Sequence, residues 1–332
     1  MEEQILFAGG MYGYASFRIP ALCKCLNGDI IAFAEGRKNS ECDYGYIDIV
    51  QRRSTDGGKS WSEAEVVCSD GANTYGNPCP ICDRSTGAVC LVYCYNDADG
   101  GEKRILAGEA KRRVYKRFSY DNGVSWSAPE EITAEVMIPD WTWYATGPCH
   151  GIQLSGGRYV IPCNHAEKGS LKIGETKSHL IYSDDGGVSW HIGAQSGFGT
   201  NEATVCETES GLLYLNMRSN RFGLRRAYAV SCDLGMTLEP VKQAQFTDPY
   251  CQGSVYRTED GRLYFTNCNS EKRERLTLYT AKSVDEWQET AVINEGPCAY
   301  SDICESGNAL LIMYEAGAES PYEMIKLTVY RS

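Results

Sequence analysis

Short runs of alternating apolar and polar residues recur along the whole chain. IDIVQRRS (47–54), HLIYS (179–183) and LTLYTAKS (276–283) are examples, and this alternation is the mark of half-buried strands. AVCLVYCY (88–95) is another strand-like run, and KRRVYKRFSY (111–120) alternates rather than keeping a helical period. Helical signals are otherwise sparse. Such runs lead into one recurring turn, Ser-x-Asp-x-Gly-x-x-Trp, at Ser54–Trp61, Ser119–Trp126 and Ser183–Trp190. Two worn copies follow: Ser231-Cys-Asp-Leu-Gly-Met-Thr lacks the Trp, and Ser283-Val-Asp-Glu-Trp lacks the Gly. Asp-Gly, Asn-Gly and Gly-Gly pairs tolerate the positive φ of tight turns. The Asp carboxylate can accept backbone N–H bonds across the turn, and the Trp can pack beneath it.

A period of roughly 45–65 residues built from strands and turns predicts a propeller of four-stranded blades. At about 55 residues per blade, 332 residues make about six. No Pro/Gly/Ser-rich linker or low-complexity segment interrupts the pattern. The expectation is an all-β, six-bladed β-propeller with Asp-box turns, forming a single domain over residues 1–332.

Composition removes several functions. No apolar run is long enough to span a bilayer. The start, MEEQILFAGGMYGY, is acidic and lacks a basic region followed by a long apolar core, so it does not read as a signal peptide; a cytoplasmic location is expected, or a secreted one if a leader has been removed ahead of it. A net charge of −12 argues against non-specific binding to nucleic acid or anionic membranes. An anion site must then be a local cluster of arginines. The 16 cysteines have neither zinc-ribbon spacing nor a disulfide-framework pattern, and many lie in strand-like runs, so buried thiols are expected and no metal. No phosphate-cradling loop or nucleophile elbow is present, and no cofactor is expected. His179 and His191 flank the third turn and read as structural. His150, in the Gly-bounded loop TGPCHGIQL, is a candidate for lining a pocket, against the commoner structural role of a histidine.

The candidate chemistry lies near strand ends, which converge in a propeller. Arg18, Arg37 and Asp43 precede the first turn. Glu202 starts one strand and Arg218 ends the next; Arg273 and Arg275 precede the strand at 276; Tyr300 precedes a strand and Glu315 ends its successor. Taken singly, each is more commonly a solvated, paired or packed side chain.

In combination they resemble the exo-sialidases. The resemblance rests on Phe17-Arg18-Ile19-Pro20, Ala34-Glu35-Gly36-Arg37 and the repeated Asp boxes. It continues through Gly76-Asn-Pro-Cys-Pro, Thr146-Gly-Pro-Cys-His-Gly-Ile-Gln, Asn201-Glu202, Asn216-Met-Arg218, Ala299-Tyr300-Ser-Asp and Tyr314-Glu315, in the family's order over essentially the whole chain. The resemblance implies that Arg18, Arg218 and Arg273 clamp a sialic acid carboxylate, with Arg275 the rival for the third place. It implies Asp43 as acid/base and Tyr300 as nucleophile with Glu202 as its base. Glu315 would orient Arg18, Arg37 would contact the sugar, and Asp48 would be structural. His150 would line the substrate pocket, although Cys149 stands where the family more often has Gly.

The residue types suit that chemistry. Guanidinium groups recognise a carboxylate bidentately and stay charged. A carboxylate nucleophile approaching a substrate's own carboxylate would meet a repulsion of roughly 4 kcal/mol at about 4 Å and an effective dielectric near 20. A phenol avoids most of it but needs a neighbouring base. The implied activity is a retaining exo-α-sialidase acting on sialylated glycans through a tyrosyl intermediate. A trans-sialidase or intramolecular trans-sialidase would use the same residues. A non-catalytic sialic acid lectin would keep the arginines and lose Tyr300, Glu202 or Asp43.

Overall fold

Antiparallel strands supply nearly all of the regular structure in the computed structural model, which describes residues 2–170 and 175–331. They pair in consecutive up-and-down groups. Ser16–Lys24, Ile30–Arg37, Ile47–Ser54 and Glu65–Cys68 form the first. Thr74–Cys82, Val89–Asn96, Arg112–Ser119 and Glu130–Glu131 form the next, joined to the first by one parallel pair, Ile47 with Thr74. Trp141–Thr146 and Ile152–Gln153 both pair with Tyr159–Glu167, followed by Thr176–Ser183 and His191–Gln195. Thr200–Glu207, Leu213–Ser219, Arg225–Ser231 and Lys242–Thr247 make a separate sheet. Ser254–Arg257, Leu263–Cys268 and Glu274–Ala281 pair onward to the long strand Trp287–Ser306. That strand's second half pairs with Ala309–Ala316, then Met324–Tyr330, and finally the N-terminal Glu2–Ala8.

The first strands of these groups pack against one another in order. Ser16–Lys24 touches Thr74–Cys82, and Ile152–Gln153 touches both Thr74–Cys82 and Thr200–Glu207. Thr200–Glu207 touches Ser254–Arg257, which touches Trp287–Ser306, which returns to Ser16–Lys24. Separate apolar clusters fill the spaces between neighbouring groups. One joins Phe7, Phe17, Leu311 and Leu327; another joins Cys79, Cys94, Trp141, Tyr144 and Cys163. Thirteen of the 16 cysteines are buried and all 16 are free thiols, so they pack as small apolar residues, as their placement in strand-like runs predicts.

The turns have the chemistry their sequence suggests. In Ser183–Trp190 the Asp185 carboxylate accepts from Ser183 Oγ (2.7 Å), Ser189 N (2.9 Å) and Ser189 Oγ (2.6 Å), while Gly187 N donates to Ser183 Oγ (2.8 Å). Gly187 has φ +86°, a conformation that costs glycine little. The worn copy at Ser231 keeps every one of these bonds, with Thr237 supplying the last hydroxyl. The copy at Ser283 does not: Asp285 accepts from Tyr228 Oη instead (3.0 Å), and Trp287 Nε1 closes the turn onto Val284 O (2.9 Å).

Candidate active site

Near their starting ends, the first strands gather the charged residues. Ser16–Lys24 slips register between Arg18 and Ala21. Ile19 there has φ +60°, a strained setting for a β-branched residue that must be held by its surroundings. Glu315 holds it. This fully buried carboxylate accepts from Arg18 Nε (2.7 Å), Arg18 Nη2 (3.1 Å), Ile19 N (2.9 Å) and Tyr300 N (3.3 Å). A buried ion pair is worth keeping only when its remaining lone pairs are filled, and these are. The pair fixes Arg18 with its guanidinium 4.1 Å from the Tyr322 ring centre and 5.2 Å from that of Tyr300.

Arg37 is buried and bound by Glu35 (2.6 and 3.1 Å). Glu35 also accepts from Asn77 N at 2.8 Å. Gly76 is required there, since a Cβ would lie 2.5 Å from Glu35 Oε1. Arg37 then reaches Asp43 at 2.7 Å, and Arg18 approaches the same carboxylate at 3.7 Å. Asp43 is 75% exposed. The surrounding protein works to raise its pKa, but Arg37 and Arg18 outweigh this and hold it below the usual carboxylate range.

Tyr300 donates a short hydrogen bond to Glu202 Oε1. Glu202 Oε2 accepts from Arg218 Nη1 at 2.8 Å, and the same guanidinium lies 3.2 Å from Tyr300 Oη. Arg273 stands over the Tyr300 ring at 5.5 Å, with Tyr322 Oη 2.7 Å from its Nη1. Burial and Glu202 push the Tyr300 phenol well above its ordinary pKa, while Arg218, Arg273 and Arg18 act to lower it. The phenol is therefore protonated and hydrogen-bonded to a base.

Of the residues singled out in the sequence, Arg18, Arg37, Asp43, Glu202, Arg218, Arg273, Tyr300 and Glu315 come together here. Arg275 does not: its φ is +57° and it pairs with Glu289 (2.9 Å) on the exposed side of its strand. Asp48 is buried and accepts from Tyr14 Oη at 2.6 Å, away from this group. His150 lines a cavity, as its loop suggested, but not the one beside this group. Its Nδ1 is 2.7 Å from the buried Asp302, it packs edge-on to Tyr256, and it faces the opposite ends of the first strands. Asp302, which pattern reading passed over, fixes it there.

The structure adds residues that the sequence reading missed. Arg112 binds Asn77 (2.6 Å) and Asn96 (3.0 Å), and its guanidinium lies 4.3 Å from the Trp143 ring centre. Glu102 starts a short helix inserted between Val89–Asn96 and Arg112–Ser119. Burial raises its pKa; Arg112 and Arg218 lower it while Asp43 and Glu202 raise it further, so it lies within electrostatic reach of this group. The inserted helix carries no repeated pattern; its hint in the sequence is the run Asp97–Gly101, which breaks the strand rhythm. A cavity of 220 Å³ opens beside Arg218, lined by Thr200, Asn201 and Tyr250 among others.

Residues 28–313 match the family model described as BNR repeat-like domain. An exo-alpha-sialidase of Aspergillus fumigatus is 33% identical over 285 residues, covering 79% of this chain and 66% of its own length. A sialidase of Bacteroides fragilis is 33% identical over 238 residues, covering 67% of this chain and 43% of its own. The chain thus spans two thirds or less of these relatives. Among solved structures, the Hadza microbial sialidase Hz136 superposes with a TM-score of 0.88 at 26% identity, over 99% of this chain and 68% of that one. With the family model matched over most of its length and sialidases as its relatives, the chain belongs to the BNR repeat-like domain family.

Proposed function

We propose that this protein is a retaining exo-α-sialidase, a single-domain, six-bladed β-propeller that removes terminal sialic acid from glycans through a tyrosyl-enzyme intermediate. The strand groups and the ordered contacts of their first strands support the propeller. The observation that carries the activity is the Tyr300–Glu202 hydrogen bond set among Arg18, Arg218 and Arg273.

In this reading the substrate carboxylate sits among the three guanidiniums. Tyr300 Oη attacks the anomeric carbon as Glu202 takes its proton, and the bond to the leaving oxygen breaks as Asp43 supplies a proton. Water then attacks the same carbon, giving a proton to Asp43, while Glu202 returns the proton to the departing Tyr300. The lone negative charge brought by the nucleophile is avoided, which matters because the substrate already carries one beside the reacting carbon. Glu315 keeps Arg18 in its bidentate orientation, and Arg37 both positions Asp43 and faces the bound sugar.

Incubation with 3′-sialyllactose followed by proton NMR tests this. Sialic acid released first as the α-anomer supports the proposal. An anhydro sugar would assign intramolecular transfer instead. Binding without any cleavage would make the protein a lectin and contradict the catalytic roles.

A further inference from the structure

At the opposite ends of the same first strands lies a second cavity, of about 490 Å³, within the usual range of about 300–1,000 Å³ for small-molecule pockets. Ser16–Lys24 shows the separation. Arg18 is near its start and Lys24 is its last residue, so about 20 Å of extended chain divides the two places. Thr200–Glu207 and Ser254–Arg257 also finish here, with Glu207 and Arg257 at their ends.

The charged groups around this cavity are unevenly satisfied. Lys24 pairs with the exposed Glu259 at 2.7 Å. Glu207 is taken up by Ser155, accepting from its N (2.7 Å) and Oγ (2.6 Å). Arg84 finds only the neutral oxygen of Gln153 O for its guanidinium. Arg257 is only partly buried, but its Nε is buried without a hydrogen-bond partner, and it forms no ion pair among the described residues. Three cations and two acids line the cavity, and the carboxylates of Glu305, Asp302 and Asp83 stand behind Glu259, His150 and Gln153, so an anion would be held by the guanidiniums themselves and not by a net positive field. A buried N–H without an acceptor is an unfavourable state that an incoming oxygen relieves. The remaining wall mixes thiols, the Tyr256 ring and aliphatic side chains such as Leu26 and Ile152 with the polar Gln153 and Thr258, which suits the uncharged part of a small molecule.

We propose that this cavity is a second ligand site, distinct from the arginine cluster, which binds a small organic anion through its carboxylate or phosphate group on Arg257, with Arg84 assisting. The guanidinium forks match either head group bidentately.

Two cysteines report on the two ends. Cys82 lines this cavity and is partly accessible, while the exposed Cys42 adjoins Asp43, and the exposed Cys232 belongs to neither. The test is the rate of N-ethylmaleimide labelling at each cysteine, read by peptide mass spectrometry. It is measured with glycerol 3-phosphate, with glycerate, and with neutral glycerol. One anion or both should slow Cys82 labelling by about tenfold at a concentration about nine times Kd, where about nine-tenths of the site is occupied, with glycerol inert and Cys232 unchanged; which anion acts identifies the head group. Arg257→Gln, shown folded by its melting curve, should remove the protection, and Arg84→Gln should weaken it. Unchanged Cys82 labelling with both anions, protection confined to Cys42, or protection that persists in Arg257→Gln would overturn the proposal. The wild-type comparison stands whether or not the variants fold.

Discussion

Arg37 at 2.7 Å and Arg18 at 3.7 Å favour the charged form of Asp43, yet the proposed reaction needs it protonated. The substrate resolves this. Its carboxylate neutralises part of the field from Arg18, and its sugar ring covers an otherwise exposed side chain; both changes favour the neutral acid. The role then depends on the leaving group. Asp43→Asn should lose about 10²–10⁴ in kcat/KM on sialyllactose, whose leaving sugar needs a proton. It should lose much less on an aryl sialoside, whose phenolate departs unaided. Asp48→Asn is the contrast, because Asp48 is buried against Tyr14. It should reduce both substrates alike and lower the melting temperature. Equal losses on both substrates for Asp43→Asn would remove it from the acid role. Residue identity made Asp43, Glu202 and Tyr300 legible from motif resemblance, but not every assignment followed. Arg273 and Arg275 are two apart, and the resemblance favoured Arg273 with Arg275 as its rival; the left-handed backbone at Arg275 turns that side chain toward Glu289. His150 sat in a promising loop, but a buried carboxylate 152 residues away takes its Nδ1, and no local pattern announces that partner.

The turns were the most legible elements, and their structure sharpens the pattern. Ser60, Ser125, Ser189 and Thr237 each donate a hydroxyl to the turn's Asp at 2.6 Å. That hydroxyl survives at the Ser231 copy, where the Trp is lost, and so does the network. The Ser283 copy has no such hydroxyl before its early Trp287 and loses it. These bonds hold the Asp121, Asp185 and Asp233 carboxyls at about 2, against about 3.9 for a free Asp. The folded value is the lower one, so the stabilisation is full above about pH 4 and disappears as pH falls toward about 2. Asp185→Asn should lower stability near neutrality by about 1 kcal/mol, the order of a lost hydrogen bond. It should also flatten the decline in melting temperature between those pH values. Parallel curves for variant and wild type would contradict the assignment. The long strand Trp287–Ser306 was not legible as one element, because alternation says which residues face inward and not that one strand serves two neighbouring groups.

At the scale of the molecule, the first residues complete the last strand group. Glu2–Ala8 pairs with Met324–Tyr330, and Arg52 Nη1 donates to Leu6 O at 2.7 Å across to the first group. Leu6 and Phe7 are buried with Phe17, Leu311 and Leu327. Burying such side chains is worth about 1.5–3 kcal/mol each. Deleting residues 1–8 should therefore cost about 3–6 kcal/mol on this count, read as a lower midpoint in urea; an unchanged midpoint would show that the N-terminal strand is dispensable. No turn motif marks this strand, so its place in the fold was invisible in a pattern that counts turns. The same assembly brings Arg18, Glu202, Arg218, Arg273 and Tyr300 together from positions up to 282 residues apart, as Arg18 and Tyr300 are. The central claim is that Tyr300 becomes covalently bound to the sugar. A sialosyl fluoride carrying a second fluorine beside the anomeric carbon tests it: fluoride departs readily, and the neighbouring fluorine slows hydrolysis of the intermediate. Peptide mapping after inactivation should find the added sugar on Tyr300, and Tyr300→Phe should not be labelled there. An adduct on Glu202 or Asp43, or a protein that cleaves sialosides with inversion and is never labelled, would contradict the account.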